Sequence, residues 1–451
     1  MYRSICFFIL FAVVACTVHK SKPAVQYLKR GEVLARIRCQ KSPMHDYAVF
    51  VPKNYDSLKP SPVLIFLDSH GKGMYPVGMY KELSEKYHIP VAGSNNIQNG
   101  MDMFDVTSAY DAMVADLTSR LNIDRRRIFI AGFSGGARMA SAIAIAKGEV
   151  CGVIACSAGL NPSSVQTKPA FDYVLTAGMT DMNYSEILSV DRYMEHIGAS
   201  RQLLVFKGKH EWPPLATMDE AMLFVILRSM QRFPETRNEE LIRQAQDLYT
   251  EKEKNAAGKT ALLEAYRQHV SLLDKISDVT EQRKATEALL YDAAVQQALQ
   301  KKEKLFVAEE TYKQKINGGF AYDYSWWESE VKAIHRKIDS SPEEEAMMYR
   351  RILGHASLVS YSAVNNALNS GQPESAEKFL KIYSLVDPEN ADCDYFWSCF
   401  YAMTARNKKA IEALHHAVDK GFRDADKLMK DPTFEMLRND TAFVRVVGRI
   451  K

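Results

Sequence analysis

The chain has 451 residues, of which 47% are hydrophobic and 25% are charged, the balance of an ordinary globular protein. At about 100–200 residues per domain, this length predicts two or three domains, and the composition excludes a mainly disordered chain and a polytopic membrane protein. The 58 basic and 55 acidic residues leave a formal charge of +3, which argues against nucleic acid as a partner. Seven cysteines without a CxxC pair are too few for a disulfide scaffold and indicate no zinc site.

The N-terminal segment MYRSICFFILFAVVAC has the order of a bacterial export signal. Arg3 supplies a positive charge, and the apolar run from Ile5 to Val14 is too short for a comfortable membrane span. The small and aliphatic residues before Cys16 resemble the lipobox of a bacterial lipoprotein. This resemblance implies a signal peptide over residues 1–15, acylation of Cys16 and a lipid-anchored linker over 16–25.

The residue after this cysteine is Thr17 rather than aspartate, which favours the outer membrane in a Gram-negative cell. We therefore expect the protein in the bacterial cell envelope, attached to the membrane by its lipid anchor. The alternative is a plain secretory signal or an N-terminal anchor that is never cleaved.

Residues 26–233 alternate short apolar runs with helical patterns, which predicts a mainly parallel sheet covered by helices on both faces. The predicted strands are Tyr47–Val51, Val63–Leu67, Ile128–Ala131, Val150–Cys156, Tyr173–Ala177 and Leu203–Phe206. The predicted helices are Asp105–Leu121, Gly136–Ala146, Ser185–Ile197 and Met218–Phe233. Because the last helix closes the sheet before Pro234, we expect a fragment ending near Arg237 to fold alone.

Nearly everything after Pro234 has a helical pattern, with residues 234–356 as a first helical region. Residues 357–451 contain an internal repeat of small and apolar residues 34 positions apart: Ala376, Leu380 and Tyr383, then Ala410, Leu414 and Ala417. Helix–turn–helix units with this period resemble the tetratricopeptide repeat over about 357–424. That resemblance implies a protein partner on the repeats, whereas the alternative is two unrelated helical hairpins.

The segment Arg127–Met139 reads RIFIAGFSGGARM, in which an apolar strand runs directly into G-x-S-x-G and then into an alanine-rich helix. This context is that of a nucleophile elbow, with Ser134 on a strained strand-to-helix turn. Gly132 and Gly136 flank the serine because only small residues fit there, and the amide of Gly135 would face a developing oxyanion. The alternative is a glycine-rich turn in another doubly wound sheet.

A serine hydroxyl is a poor nucleophile unless a base takes its proton. His210 follows the last predicted strand, and Asp181 follows the strand before it. Since the carboxyl ends of parallel strands share one sheet edge, we expect both to meet Ser134 there. Asp172 precedes its strand and Glu186 should lie on the next helix, so both are weaker candidates for the acid.

The loop Asp68–Gly73, which follows a predicted strand, is expected to supply a second oxyanion donor. The turn at His70 and Gly71 would aim a backbone amide toward the serine, that of Lys72 in preference to that of Gly71. For the side chain of His70, we favour a structural role, in which it braces the loop by hydrogen bonding, over a catalytic one.

The segment between Ser134 and Asp181 is too short to hold a cap domain, so short loops or the C-terminal helices should bound the pocket. The candidate rim segments are Gly73–Val77, Ser94–Met103 and His210–Pro214. Trp212 is equally consistent with a substrate platform and with core packing. The aromatic run Phe320–Trp327 favours helix packing over a sugar or peptide surface.

Residues 26–233 resemble an α/β-hydrolase of the esterase and dienelactone-hydrolase type. The resemblance rests on the turn at His70 and Gly71, the serine elbow, Asp181 and the run His210–Pro214. The whole chain resembles bacterial lipoproteins in which such a domain precedes tetratricopeptide-like helices.

This resemblance implies a serine hydrolase, an esterase with a peptidase as the alternative, that forms an acyl-enzyme with a small-molecule or peptide substrate. No cofactor is implied, and no HExxH or ligand-spaced cluster indicates a metal. The alternative from another class is a vestigial hydrolase fold within a protein-binding scaffold.

Overall fold

The computed structural model describes residues 28–450, and the strands of this part form an eight-stranded sheet in the order β1-β2-β4-β3-β5-β6-β7-β8. Their bounds are β1 Val33–Arg38, β2 Asp46–Phe50, β3 Ser61–Leu67, β4 Val91–Ser94, β5 Ile123–Phe133, β6 Val150–Cys156, β7 Asp172–Gly178 and β8 Arg201–Phe206. β2 is antiparallel to both of its neighbours, and all other pairs are parallel. This order and these directions are those of an α/β-hydrolase, as the sequence predicts.

Helices cover both faces of the sheet, which explains why its central strands are continuously apolar. They are α1 Met74–Tyr87, α2 Met103–Arg120, α3 Gly135–Lys147, α4 Tyr184–His196 and α5 Leu215–Arg232. α2, α3 and α4 pack on one face, and α1 and α5 pack on the other. All residues of β6 and β7 are buried between these two layers.

Every strand and helix predicted for residues 26–233 is present, with ends displaced by at most five residues. The structure adds the edge strand β1, the strand β4 and the helix α1, none of which was given bounds from the sequence. Pro76 and Gly78 make α1 hard to predict, because both residue types are rare inside helices. A proline in the first turn of a helix, however, costs no backbone hydrogen bond. The predicted rim segment Gly73–Val77 is therefore mainly the first turn of this helix.

The rest of the described chain is helical. Its helices are α6 Glu239–Lys254, α7 Lys259–Leu273, α8 Thr280–Leu290, α9 Ala293–Asn317, α10 Tyr324–Ser340, α11 Glu343–Asn369, α12 Pro373–Val386, α13 Ala391–Met403, α14 Asn407–Asp419, α15 Ala425–Lys430 and α16 Thr441–Ile450. The six repeated residues of α12 and α14 are all buried. Gly371 follows α11 with φ +65°, a helix-ending conformation that glycine adopts readily. The tetratricopeptide assignment stays a prediction.

The change in composition at Pro234 does not coincide with a break in packing. Ile242 and Tyr249 of α6 and Leu272 of α7 belong to the same buried cluster as α5 and one face of the sheet. Gln202 of β8 donates a hydrogen bond to the Tyr249 hydroxyl. α6 and α7 therefore cover the sheet like the helices before Pro234, although the boundary at 233–234 itself stays a prediction.

This packing revises the expectation for truncated chains. We expect a fragment of residues 28–237 to be less soluble and less stable than one of residues 28–279, because the shorter fragment exposes the apolar surface under Ile242, Tyr249 and Leu272. Soluble yield and thermal unfolding of the two fragments, expressed in parallel, provide the measurement. Equal yields and equal unfolding temperatures would show that α6 and α7 are dispensable for the core.

Candidate active site

Ser134 lies on a sharp turn between β5 and α3 with φ 54° and ψ −119°. A side-chain-bearing residue in this conformation costs on the order of 1–3 kcal/mol, so surrounding contacts must hold it there. Its amide donates to the carbonyl of Cys156 at 2.8 Å, and its own carbonyl accepts from the amide of Ala137 at 3.0 Å. The strained elbow predicted from G-x-S-x-G is therefore present.

The two glycines flanking the serine are required by close contacts between backbones. A Cβ atom on Gly132 would lie 2.2 Å from the carbonyl oxygen of Gly136, and a Cβ on Gly136 would lie 2.0 Å from that of Leu67. Neither contact involves a side chain that could move aside. Any other residue at these positions would displace α3 from the sheet and the serine with it.

Three predicted side chains meet at the carboxyl edge of the sheet, after β5, β7 and β8. His210 Nε2 lies 3.0 Å from Ser134 Oγ, and His210 Nδ1 lies 2.9 Å from Asp181 Oδ1. The Asp181 side chain is completely buried, whereas the His210 side chain is 21% exposed. The histidine thus links a buried carboxylate to a hydroxyl that faces the surface.

The carboxylate is held by the loop that carries it. The amide of Met179 donates to the carbonyl of Phe206 at 2.8 Å, which joins this loop to the end of β8. The amide of Asn183 donates to Asp181 Oδ1 at 2.8 Å, the oxygen that also contacts His210. These two bonds orient the carboxylate toward the imidazole.

The other two acid candidates lie elsewhere and have their own partners. Asp172 opens β7 at the opposite sheet edge, where Arg232 contacts it at 2.7 Å. Glu186 lies on α4 and pairs with Arg138 at 2.6 Å. Both placements agree with the reasons for ranking them below Asp181.

The amides predicted to bind an oxyanion differ in their availability. Within the described residues, the amide of Gly135 has no acceptor. The amide of Gly71 donates to the carbonyl of Asp68 at 3.1 Å, which ties it into the turn. The amide of Lys72 lies 3.4 Å from Asp68 Oδ1, longer than a strong N–H···O bond. Of the two amides in this loop, that of Lys72 is the easier one to redirect toward an oxyanion at Ser134.

Asp68 organises this loop, a role the sequence analysis missed. Its Oδ1 accepts from the amide of His70 at 2.9 Å, and its Oδ2 accepts from Trp212 Nε1 at 3.3 Å. The carboxylate thereby joins the loop after β3 to the loop that carries the histidine. Trp212 is buried against the rings of Phe66 and Tyr80, so it is a core residue rather than a substrate platform.

The side chain of Asn99, within the predicted rim Ser94–Met103, lies against the backbone of Gly135, the residue after the serine. A Cβ atom on Gly135 would lie 1.7 Å from Asn99 Oδ1. The Asn99 backbone amide is fixed by a 2.9 Å bond to the carbonyl of Ser69, while the side chain is exposed. Its carboxamide is available to hydrogen-bond a group bound at Ser134.

Cys156 and a cluster of metal ligands would be the alternatives to the serine as reactive groups in residues 28–450. Cys156 lies beside the elbow, but burial raises the pKa of its thiol to about 12, so it remains protonated. No group of three or more His, Cys, Asp or Glu side chains converges there to hold a metal ion.

No protein-family model matches the chain, and no curated protein does. Among solved structures, an S-formylglutathione hydrolase from Staphylococcus aureus is 15% identical, covers 44% of this chain and 96% of its own, and has a TM-score of 0.32. One from Agrobacterium tumefaciens is 16% identical and covers 41% and 90%, with a TM-score of 0.35. An esterase from Pyrobaculum calidifontis is 13% identical and covers 45% and 85%, with a TM-score of 0.34. The fold itself follows from the strand order described above.

Proposed function

We propose that the protein is a serine hydrolase that cleaves an ester or an amide through an acyl-enzyme on Ser134. The observation that carries the proposal is the continuous hydrogen-bond chain from the buried Asp181 carboxylate through His210 to a serine on a positive-φ turn. A strained serine joined to a base and a buried acid is the arrangement that activates a hydroxyl nucleophile.

The reaction would begin when Ser134 Oγ attacks the substrate carbonyl carbon and passes its proton to His210 Nε2. Asp181 keeps the proton of Nδ1 in place and stabilises the imidazolium that forms. The carbonyl electrons move onto oxygen, where the amide of Gly135 donates a hydrogen bond. As the intermediate collapses, the leaving group takes the proton from Nε2, and water then releases the acyl group by the same steps.

The sheet edge that carries Ser134 also carries exposed aromatic residues. α1 and α2 begin at the same sheet edge as Ser134, and their first turns include Tyr75 and Phe104, residues that are 54% and 80% exposed. Exposed aromatic side chains at this edge of the sheet would suit an aryl or aliphatic acyl or alcohol portion of a substrate. We prefer an ester with such a portion as the substrate, in keeping with the family resemblance, and keep a peptide bond as the alternative.

A fluorophosphonate probe tests the activity directly. We expect the wild-type protein and a Ser163→Ala control, altered in an exposed turn, to be labelled, and Ser134→Ala to remain unlabelled. A panel of p-nitrophenyl esters, feruloyl esters and aminoacyl amides would then identify the substrate class. If the wild type stays unlabelled while a known hydrolase reacts, the alternative function, a vestigial hydrolase fold in a protein-binding scaffold, is favoured instead.

The role of the acid can be separated from the stability of the sheet by two matched substitutions. Asp181→Asn should lower turnover by roughly 10⁴-fold, the loss typical of this change in serine proteases, because it favours the wrong histidine tautomer. Asp172→Asn should leave turnover nearly unchanged but lower the melting temperature, because it breaks a contact with Arg232 at the far edge. Turnover and thermal unfolding are measured on both variants. Damaged turnover in Asp172→Asn alone would refute the assignment.

We also propose that the protein is lipid-anchored to the bacterial cell envelope, with the outer membrane favoured. Cys16 lies outside the described residues, so this rests on the sequence pattern. Within residues 28–450, no helix has the length and apolar character of a membrane span.

Replacing Cys16 with Ser should release the protein from membranes and abolish its labelling by radioactive palmitate, because the acylated thiol is lost. Cys6→Ser is the matched control and should keep the label, since Cys6 lies in the segment predicted to be removed. Membrane fractionation and palmitate incorporation are the readouts. Persistent palmitate labelling of the Cys16 variant would contradict the lipobox prediction.

A further inference from the structure

The C-terminal helices reach the loop that carries Asp181, here called the acid loop and comprising residues 179–183. Arg351 of α11 donates from Nη1 to the carbonyl of Met179 at 2.8 Å. Lys313 of α9 donates from Nζ to the carbonyl of Met182 at 2.8 Å. Two cations from a distant part of the sequence thus bind the backbone on both sides of the acid.

These cations belong to a buried ionic cluster with Glu309. Arg351 contacts Glu309 Oε2 through Nε at 2.8 Å and through Nη2 at 2.6 Å, and Lys313 contacts Oε1 at 2.8 Å. The three side chains are only 9%, 7% and 1% exposed for Arg351, Lys313 and Glu309. A second anion, Glu310, lies 3.9 Å from Lys313 but is 43% exposed. Removing charges from water is costly, so stability alone is a weak explanation for the buried part of this cluster.

The same cluster also fixes the start of α4. Lys313 Nζ donates to Ser185 Oγ at 2.6 Å, and the Arg351 guanidinium lies 4.5 Å from the centre of the Tyr184 ring. Burial and the charge of Lys313 lower the pKa of His355 to about 4, so that histidine adds no charge near neutral pH.

Only one of the two Asp181 carboxylate oxygens is held by hydrogen bonds. Asp181 Oδ2 is buried and has no hydrogen-bond partner among the described residues. The carboxylate is therefore oriented through Oδ1 and through the backbone of the acid loop. We propose that Arg351 and Lys313 are positioning residues that hold this backbone so that Asp181 meets His210, which makes the helical region part of the catalytic unit. This inference rests on the proposed hydrolase activity.

The test uses the full-length protein and the fluorophosphonate probe, with two quantities measured: the labelling rate and the total label at saturation. Arg351→Met should reach full label at a rate roughly 10²-fold lower, the scale of loss from about 1 Å of misplacement. Arg351→Lys, which keeps one donor, should be intermediate. Arg192→Met is the matched control and should label normally, because Arg192 joins α4 to α9 through Glu303, outside the acid loop.

A purely structural role would lower the total label while each labelled molecule reacts at the normal rate. That result for Arg351→Met would overturn the inference. If Arg351→Met does not fold, unchanged labelling rates in both Arg351→Lys and Lys313→Met would overturn it instead. Failure of the hydrolase proposal is distinguishable, because the wild-type protein itself would then remain unlabelled.

Discussion

The backbone at Ser134, held at φ 54°, is the constraint around which this edge of the sheet is built. This conformation costs about 1–3 kcal/mol, and it persists because contacts with the surrounding backbone hold the turn in place. Gly132 and Gly136 bring β5, α3 and the end of β3 into contact distances that exclude a side chain. The serine hydroxyl consequently lies within reach of His210, in the loop that follows β8.

Burial of Asp181 imposes the second constraint. A carboxylate removed from water is tolerated when charged or hydrogen-bonding groups surround it, and here Oδ1 accepts from the amide of Asn183 and contacts His210. The loop is attached on one side to the end of β8 and on the other to α9 and α11. The sheet domain and the helical region therefore both determine where this charge lies.

The sequence predicted the parts of the site that depend on neighbouring residues. Ser134 could be identified because strand, glycines and helix follow one another, and Asp181 and His210 because each directly follows a strand. Asp68 and Arg351 could not be identified in this way, because their partners Trp212 and Met179 are 144 and 172 residues distant in sequence. No periodic pattern marks such contacts. Tertiary packing alone shows that these polar residues are buried.

The domain boundary is a second feature that the sequence alone could not predict. Composition changes at Pro234 because α6 and α7 each expose one polar face, yet their other faces complete the hydrolase core. The later helices contact the sheet domain at two places, and these contacts differ in burial. Asp424 before α15 meets Lys72 at 3.3 Å in a partly exposed ion pair, a kind of contact that contributes about 0–1 kcal/mol. The buried contacts of Arg351 are much less screened by water. The helical region thus meets the acid loop through buried contacts and the loop after β3 through a partly exposed one.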